Sequence, residues 1–129
     1  MYQFGIETNG DFASVIDKTV AALKEEGFGV LADIDIAATL KAKLDIDKRP
    51  YRILGACNPP LANKALDAEP DIGLLLPCNV IVREQEDGSI RVAFMDPAAV
   101  MSLVEGDEVT SLAQEVRSRL QRVADALKS

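Results

Sequence analysis

The chain has 129 residues, 48% of them hydrophobic, and a formal net charge of −7. That is the size of one domain over residues 1–129 with an ordinary core, and its acidity argues against duplex nucleic acid and anionic membrane surfaces as partners. There is no histidine, which removes the commonest general base at neutral pH, the usual serine and cysteine triads and a common transition-metal ligand.

Tyr2 to Glu7 alternates, with Tyr2, Phe4 and Ile6 on one side, as a half-buried first strand does. Thr8-Asn9-Gly10 is a turn, and Asp11 is placed to cap a helix whose apolar side is Phe12, Val15, Ile16, Val20 and Leu23, stopped at Gly27. Gly29 to Ile34 alternates again as a second strand. Asp35 then caps a short helix carrying Leu40 and Leu44. Pro50 disfavours helical geometry in Arg49, so Lys48-Arg49-Pro50 is a loop leading into a third strand, Tyr51 to Cys57.

Asn58-Pro59-Pro60 reads as a helix start, the asparagine as N-cap and proline with the φ that a first helical position needs. That helix carries Leu61, Ala65 and Leu66 and ends before Pro70; a fourth strand is expected from Leu74 to Glu84. Asp87-Gly88 is a strong hairpin signal, returning the chain as a fifth strand, Ser89 to Met95. Asp96-Pro97 repeats the cap-plus-proline device for a short helix, and Val109, Leu112, Val116, Leu120, Val123 and Leu127 mark a long final one. The expected fold is α+β: an antiparallel sheet of about five strands packed against helices on one face, in the order β-α-β-(α)-β-(α)-β-β-(α)-α.

A helix layer covers one face of such a sheet, and apolar residues fall on both sides of the fourth strand, Val80 and Val82 against Ile81. The second face is therefore expected to meet another copy of the chain, or else to curl over its own core. No apolar run reaches the roughly 18 residues of a membrane span, and a charged-then-apolar leader is lacking, so the expected compartment is the cytoplasm.

The chemistry-bearing residues cluster by register. With Asp87-Gly88 as a two-residue loop, Glu84 opposes Arg91, Ile81 opposes Phe94, Asn79 opposes Asp96 and Cys78 opposes Pro97. Cys57 ends the third strand at the same edge. Cys57, Asn58, Cys78, Asn79 and Asp96 are then expected at one rim, faced by two helix N-termini that favour anions and thiolates. Each has a plainer reading: Asn58 and Asp96 as caps, Cys78 as a core residue. No CxxC spacing supports a metal site.

At Gly55-Ala56-Cys57-Asn58-Pro59-Pro60 and Leu76-Pro77-Cys78-Asn79-Val80 the chain resembles the domain-of-unknown-function 302 family. Gly27-Phe28-Gly29-Val30-Leu31, Pro50-Tyr51-Arg52-Ile53-Leu54 and Met95-Asp96-Pro97 match its pattern as well, in the same order along nearly the whole chain. The resemblance implies a sheet gripped by helices, similar to the TATA-binding-protein fold, and homodimers. It supplies no reaction, cofactor or functional residue.

Three functions follow as expectations. The first is binding of a small anionic or thiol-reactive ligand at the Cys57, Asn58, Cys78, Asn79 and Asp96 rim. The second is thiol redox or sulfur-transfer catalysis, with Cys57 as nucleophile and Cys78 resolving. The third is a homodimeric scaffold whose cysteines are structural.

Overall fold

The computed structural model describes residues 1–128. Its strands are β1 (Gln3–Thr8), β2 (Gly29–Asp35), β3 (Tyr51–Cys57), β4 (Cys78–Glu84) and β5 (Ile90–Met95). Its helices are α1 (Phe12–Glu25), α2 (Ile36–Leu44), α3 (Pro59–Ala68), α4 (Pro97–Val100) and α5 (Asp107–Leu127), with 3₁₀ segments at Pro70–Leu75 and Met101–Leu103. The five strands form one sheet in the order β1-β5-β4-β3-β2, every neighbouring pair antiparallel. This is the α+β architecture that the alternating and helical periodicities predict.

Leu54 and Ala56 of β3, Val80 and Val82 of β4, and Ile90, Val92 and Phe94 of β5 share one face and are buried. They meet Val15, Ile16 and Leu23 of α1 and Leu120, Val123 and Ala124 of α5 in the main core. α1 closes with paired bonds, Gly27 N–H to Lys24 O and Phe28 N–H to Leu23 O, Gly27 taking φ +85°. That arrangement satisfies the last carbonyls of the helix and turns Phe28 inward onto Leu23. Arg119 of α5 donates to Glu26 O at 3.0 Å and Arg122 pairs with the Glu26 carboxylate at 2.8 Å, fastening the two helices at this corner.

The second face bears an apolar row in register: Ile34 opposite Ile53, Ile53 opposite Ile81, Ile81 opposite Ala93, and Ala93 opposite Gly5. Ile34 is exposed and Ile53 and Ile81 are half-buried. α2 reaches only one corner of this face, where Ile36 and Leu40 line a groove with Tyr51 and Arg83.

Two expectations of register are corrected. The β4–β5 hairpin has a three-residue loop, Glu86-Asp87-Gly88: Gln85 pairs with Ser89 through an N–H···O bond of 2.8 Å, and Gly88, at φ +85°, donates to Gln85 O. A turn followed by a left-handed glycine is the common three-residue solution. Val80 therefore opposes Phe94, Val82 opposes Val92 and Arg83 opposes Arg91, while Glu84 faces Ile90. The reason is the core. The two-residue loop would set Val82 against Ala93, mixing the faces, whereas the longer loop puts Val82 and Val92 on the buried side together.

The second correction is the start of β4, at Cys78 rather than Leu74. Pro77 has no N–H for the ladder, and Leu74 to Leu76 belong to the 3₁₀ segment and its exit.

Candidate functional site

At the end of the sheet where β3 finishes and β4 begins, the main core does not continue. A second, smaller cluster of Ala65, Ile72, Met101, Val109 and Ala113 takes over, built from α3, the 3₁₀ segments and the first half of α5. Between it and the sheet lies a cavity of about 320 Å³. Ala56, Cys57 and Cys78 supply the sheet side, Leu61 and Ala65 the α3 side, Val109, Ala113 and Val116 the α5 side. Leu31, the extra residue of a bulge in β2, stands at the mouth 71% exposed, together with Leu66 at 41%.

Three of the five rim residues expected from sequence line this cavity: Cys57, Asn58 and Cys78. Ala56 is the partner of Cys78 across the ladder, so Cys57 sits one residue along from it. Cys78 is 5% exposed, and burial, aided by the nearby Cys57, pushes its thiol up to about 11. It is therefore protonated at neutral pH. Cys57 is half-buried.

Asn58 caps α3, its Oδ1 accepting from Leu61 N at 3.3 Å, and is itself 7% exposed. Its Nδ2 lies against Gly27, where a Cβ would stand 2.9 Å away. Gly27 is thus glycine for two reasons, its positive φ and the amide packed on it.

Asn79 and Asp96 do not line the cavity. Asn79 opposes Gly55, on the second face of the sheet, and is exposed. Asp96 is a structural anchor: it caps α4 at Ala98 N, 3.0 Å, and accepts from Arg117 Nε at 3.3 Å. Arg117 in turn lies 4.7 Å over the Phe4 ring, which stacks on Phe94. Pro97, its neighbour, is the residue that reaches the cavity.

The helix N-termini also differ from expectation. In α3 the first two positions are Pro59 and Pro60, which have no N–H, and the next two donors are used, Leu61 by the Asn58 side chain and Ala62 by Asn58 O. In α4 Pro97 stands first and the Asp96 carboxylate takes the next donor. The proline-rich starts that shape these helices also leave no free first-turn donor at α3 to hold an anion.

Met101, Val109 and Ala113 are among the lining residues that motif reading missed. For Val109 the signal was present in the length of the final helix, whose apolar stripe outruns the α1-packed core. Gly55 is a further element of the site: a Cβ there would meet Pro77 Cγ at 2.9 Å and Ala32 Cβ at 3.4 Å, so the glycine seats Pro77 against the sheet.

Fold and site together define a small α+β domain whose antiparallel sheet ends in an apolar cavity roofed by helices. The chain belongs to the family described as "Domain of unknown function DUF302", which matches residues 4–127. The crystal structure of an uncharacterized conserved DUF302 protein from Bacillus stearothermophilus superposes with a TM-score of 0.91 at 25% identity, covering 99% of both chains. An uncharacterized protein of Aquifex aeolicus (strain VF5) is 33% identical over 75 residues, 56% of this chain and 50% of that relative. The match thus spans about half of that relative's length. Among the described residues no helix is long and apolar enough to cross a membrane, and no group of three metal-ligating acidic or thiol side chains occurs.

Proposed function

We propose that the protein is a small-ligand-binding domain whose site is the cavity bounded by Cys57, Asn58 and Cys78. What supports this is the lining of the cavity: about 320 Å³ bounded almost wholly by apolar side chains, with Cys57, Asn58 and Cys78 at its sheet end. Ligand sites are largely apolar clefts with a few polar groups. The test is a native mass spectrum of protein purified rapidly without reductant or chelator. A stoichiometric adduct that disappears in Ala113→Leu, which fills the cavity, is expected. A bare polypeptide mass for the wild-type protein contradicts the reading.

Thiol chemistry is a second reading, favoured by the adjacency of Cys57 and Cys78. Cys57 thiolate would attack a substrate disulfide and release one thiolate; Cys78, after losing its proton, would displace the other and close a Cys57–Cys78 disulfide. The substrate disulfide is reduced and the protein pair oxidised, to be restored by an external dithiol. A Cys78 thiol at about 11 makes the second displacement slow at neutral pH, which is why ligand binding ranks first. Rapid formation of an intramolecular disulfide by one equivalent of an aromatic disulfide at pH 7.5 would reverse that ranking.

The open sheet face supports a homodimer in the same molecule, with the Ile34, Ile53, Ile81 and Ala93 row as its centre. Light scattering should give twice the monomer mass, falling to the monomer in Ile81→Glu. A wild-type protein that is monomeric at high concentration removes the proposal.

A further inference from the structure

We infer that the occupant of the cavity is a small, uncharged, mainly aliphatic molecule, an alkyl chain with a neutral oxygen at one end, and not an anion. This rests on the reading of the cavity as a ligand site and names its ligand class. No Lys, Arg, Asp or Glu lines the cavity; Asn58 and the two cysteines carry its only polar or thiol side chains. The cations that follow the lining residue Val116 along α5 are already engaged. Arg117 is bound to Asp96 and Gln121, and Arg119 to Glu115 and to Glu26 O.

The backbone offers an anion no more. Pro59 and Pro60 lack donors, and those of Leu61 and Ala62 are satisfied within the cap. A carboxylate placed here would lose its water and gain no countercharge, which is costly in an apolar interior. A neutral oxygen has the two thiols to meet, beside Asn58, whose Oδ1 is held by Leu61 N and whose Nδ2 packs on Gly27. The thiol of Cys78 is protonated at neutral pH and serves as a weak donor and a soft apolar surface.

Size follows from volume. The cavity of about 320 Å³ lies at the low end of ligand pockets, roughly 300–1,000 Å³, so its occupant is small. The mouth, at Leu31 and Leu66, is apolar too, so the chain meets no charged gate on entry.

The experiment is calorimetric titration of the full chain with n-alcohols from hexanol to dodecanol, and with octanoate, at pH 7.5. Affinity should rise about fourfold per added methylene and level off once further methylenes lie outside the cavity. Octanoate should bind at least tenfold more weakly than octanol and approach it as pH falls toward 5, where the carboxyl gains its proton. Ala113→Leu should abolish octanol binding; Ala65→Leu, on the facing helix, is the second variant should the first fail to fold. Octanoate binding as tightly as octanol at pH 7.5 overturns the neutral-ligand assignment and leaves the ligand site standing. Absence of binding by the whole series, or binding unaffected in a folded cavity-filled variant, overturns both.

Discussion

α5 runs through two environments. Its second half sets Leu120, Val123 and Ala124 against α1 and the middle of the sheet, where each is 1% exposed or less. Its first half sets Val109, Leu112, Ala113 and Val116 around a cavity. The same apolar spacing continues through both, so periodicity does not distinguish a helix that fills a core from one that roofs a hollow. What differs is the partner. The second half meets side chains of α1 and the buried face of the sheet. The first meets a sheet end built from the small residues Ala56, Cys57 and Cys78 and an α3 that borders the gap with Leu61, Ala65 and Leu66.

Removing and adding bulk should separate the two regions most strongly. Leu120→Ala opens a void in the filled region and is expected to cost about 3–4 kcal/mol in chemical denaturation. Met101→Ala only enlarges an existing space and should cost about 2 kcal/mol, at the low end of such truncations. The reverse change keeps the order. Ala124→Leu overpacks the core, at about 2–3 kcal/mol, whereas Ala113→Leu should leave stability within about 1 kcal/mol of wild type. Equal penalties for the two alanines would mean that the hollow end is as tightly packed as the rest.

The buried thiol gives the next largest effect. Cys78 is neutral in the fold, its thiol held at about 11 against an ordinary 9.0. Its contribution is therefore fully present below pH 9 and lost as pH rises through 11, because the unfolded chain ionises first. The loss, on the order of 2 kcal/mol, should show as a steeper alkaline decline in stability for wild type than for Cys78→Ala. Alkylation by iodoacetamide at pH 8 should correspondingly modify Cys57 well before Cys78.

Gly27→Ala strains a left-handed backbone and presses on the Asn58 amide; a loss of about 1–2 kcal/mol is expected. The smallest effect is at the β2 edge of the sheet. Arg52 grips Asp33 through two guanidinium nitrogens, and this bonding holds the Asp33 carboxyl below its usual range. The stabilisation is present above about pH 4 and lost as pH falls through the lowered value. With Asp33 over a third exposed, Asp33→Asn should cost only about 0.5 kcal/mol at pH 7, shrinking in acid.

How far the sequence could be read follows from these particulars. Strand alternation, the α1 stripe ending at Gly27 and the two Asn/Asp-Pro caps placed the elements, because each is a local signal. Register was not local. Asp87-Gly88 fits a two- or a three-residue loop, and only the pairing of Val82 with Val92 on the buried side selects between them. Asp96 is held by Ala98 N and by Arg117 of α5, and Asn79, between the buried Cys78 and Val80, faces the other side of the sheet whatever the register. The cysteines and Asn58 stayed together because the β3–β4 ladder, set by Leu54 opposite Val80, holds their ends side by side.

The most direct test of the hollow end as the working part of the molecule is methyl-resolved NMR during titration with octan-1-ol. The expected result is saturable shifts at Leu61, Ala65, Met101 and Ala113, with Ile53 and Ile81 unmoved. Shifts confined to Ile53 and Ile81 on the open sheet face, or no saturable shift at all, would contradict it.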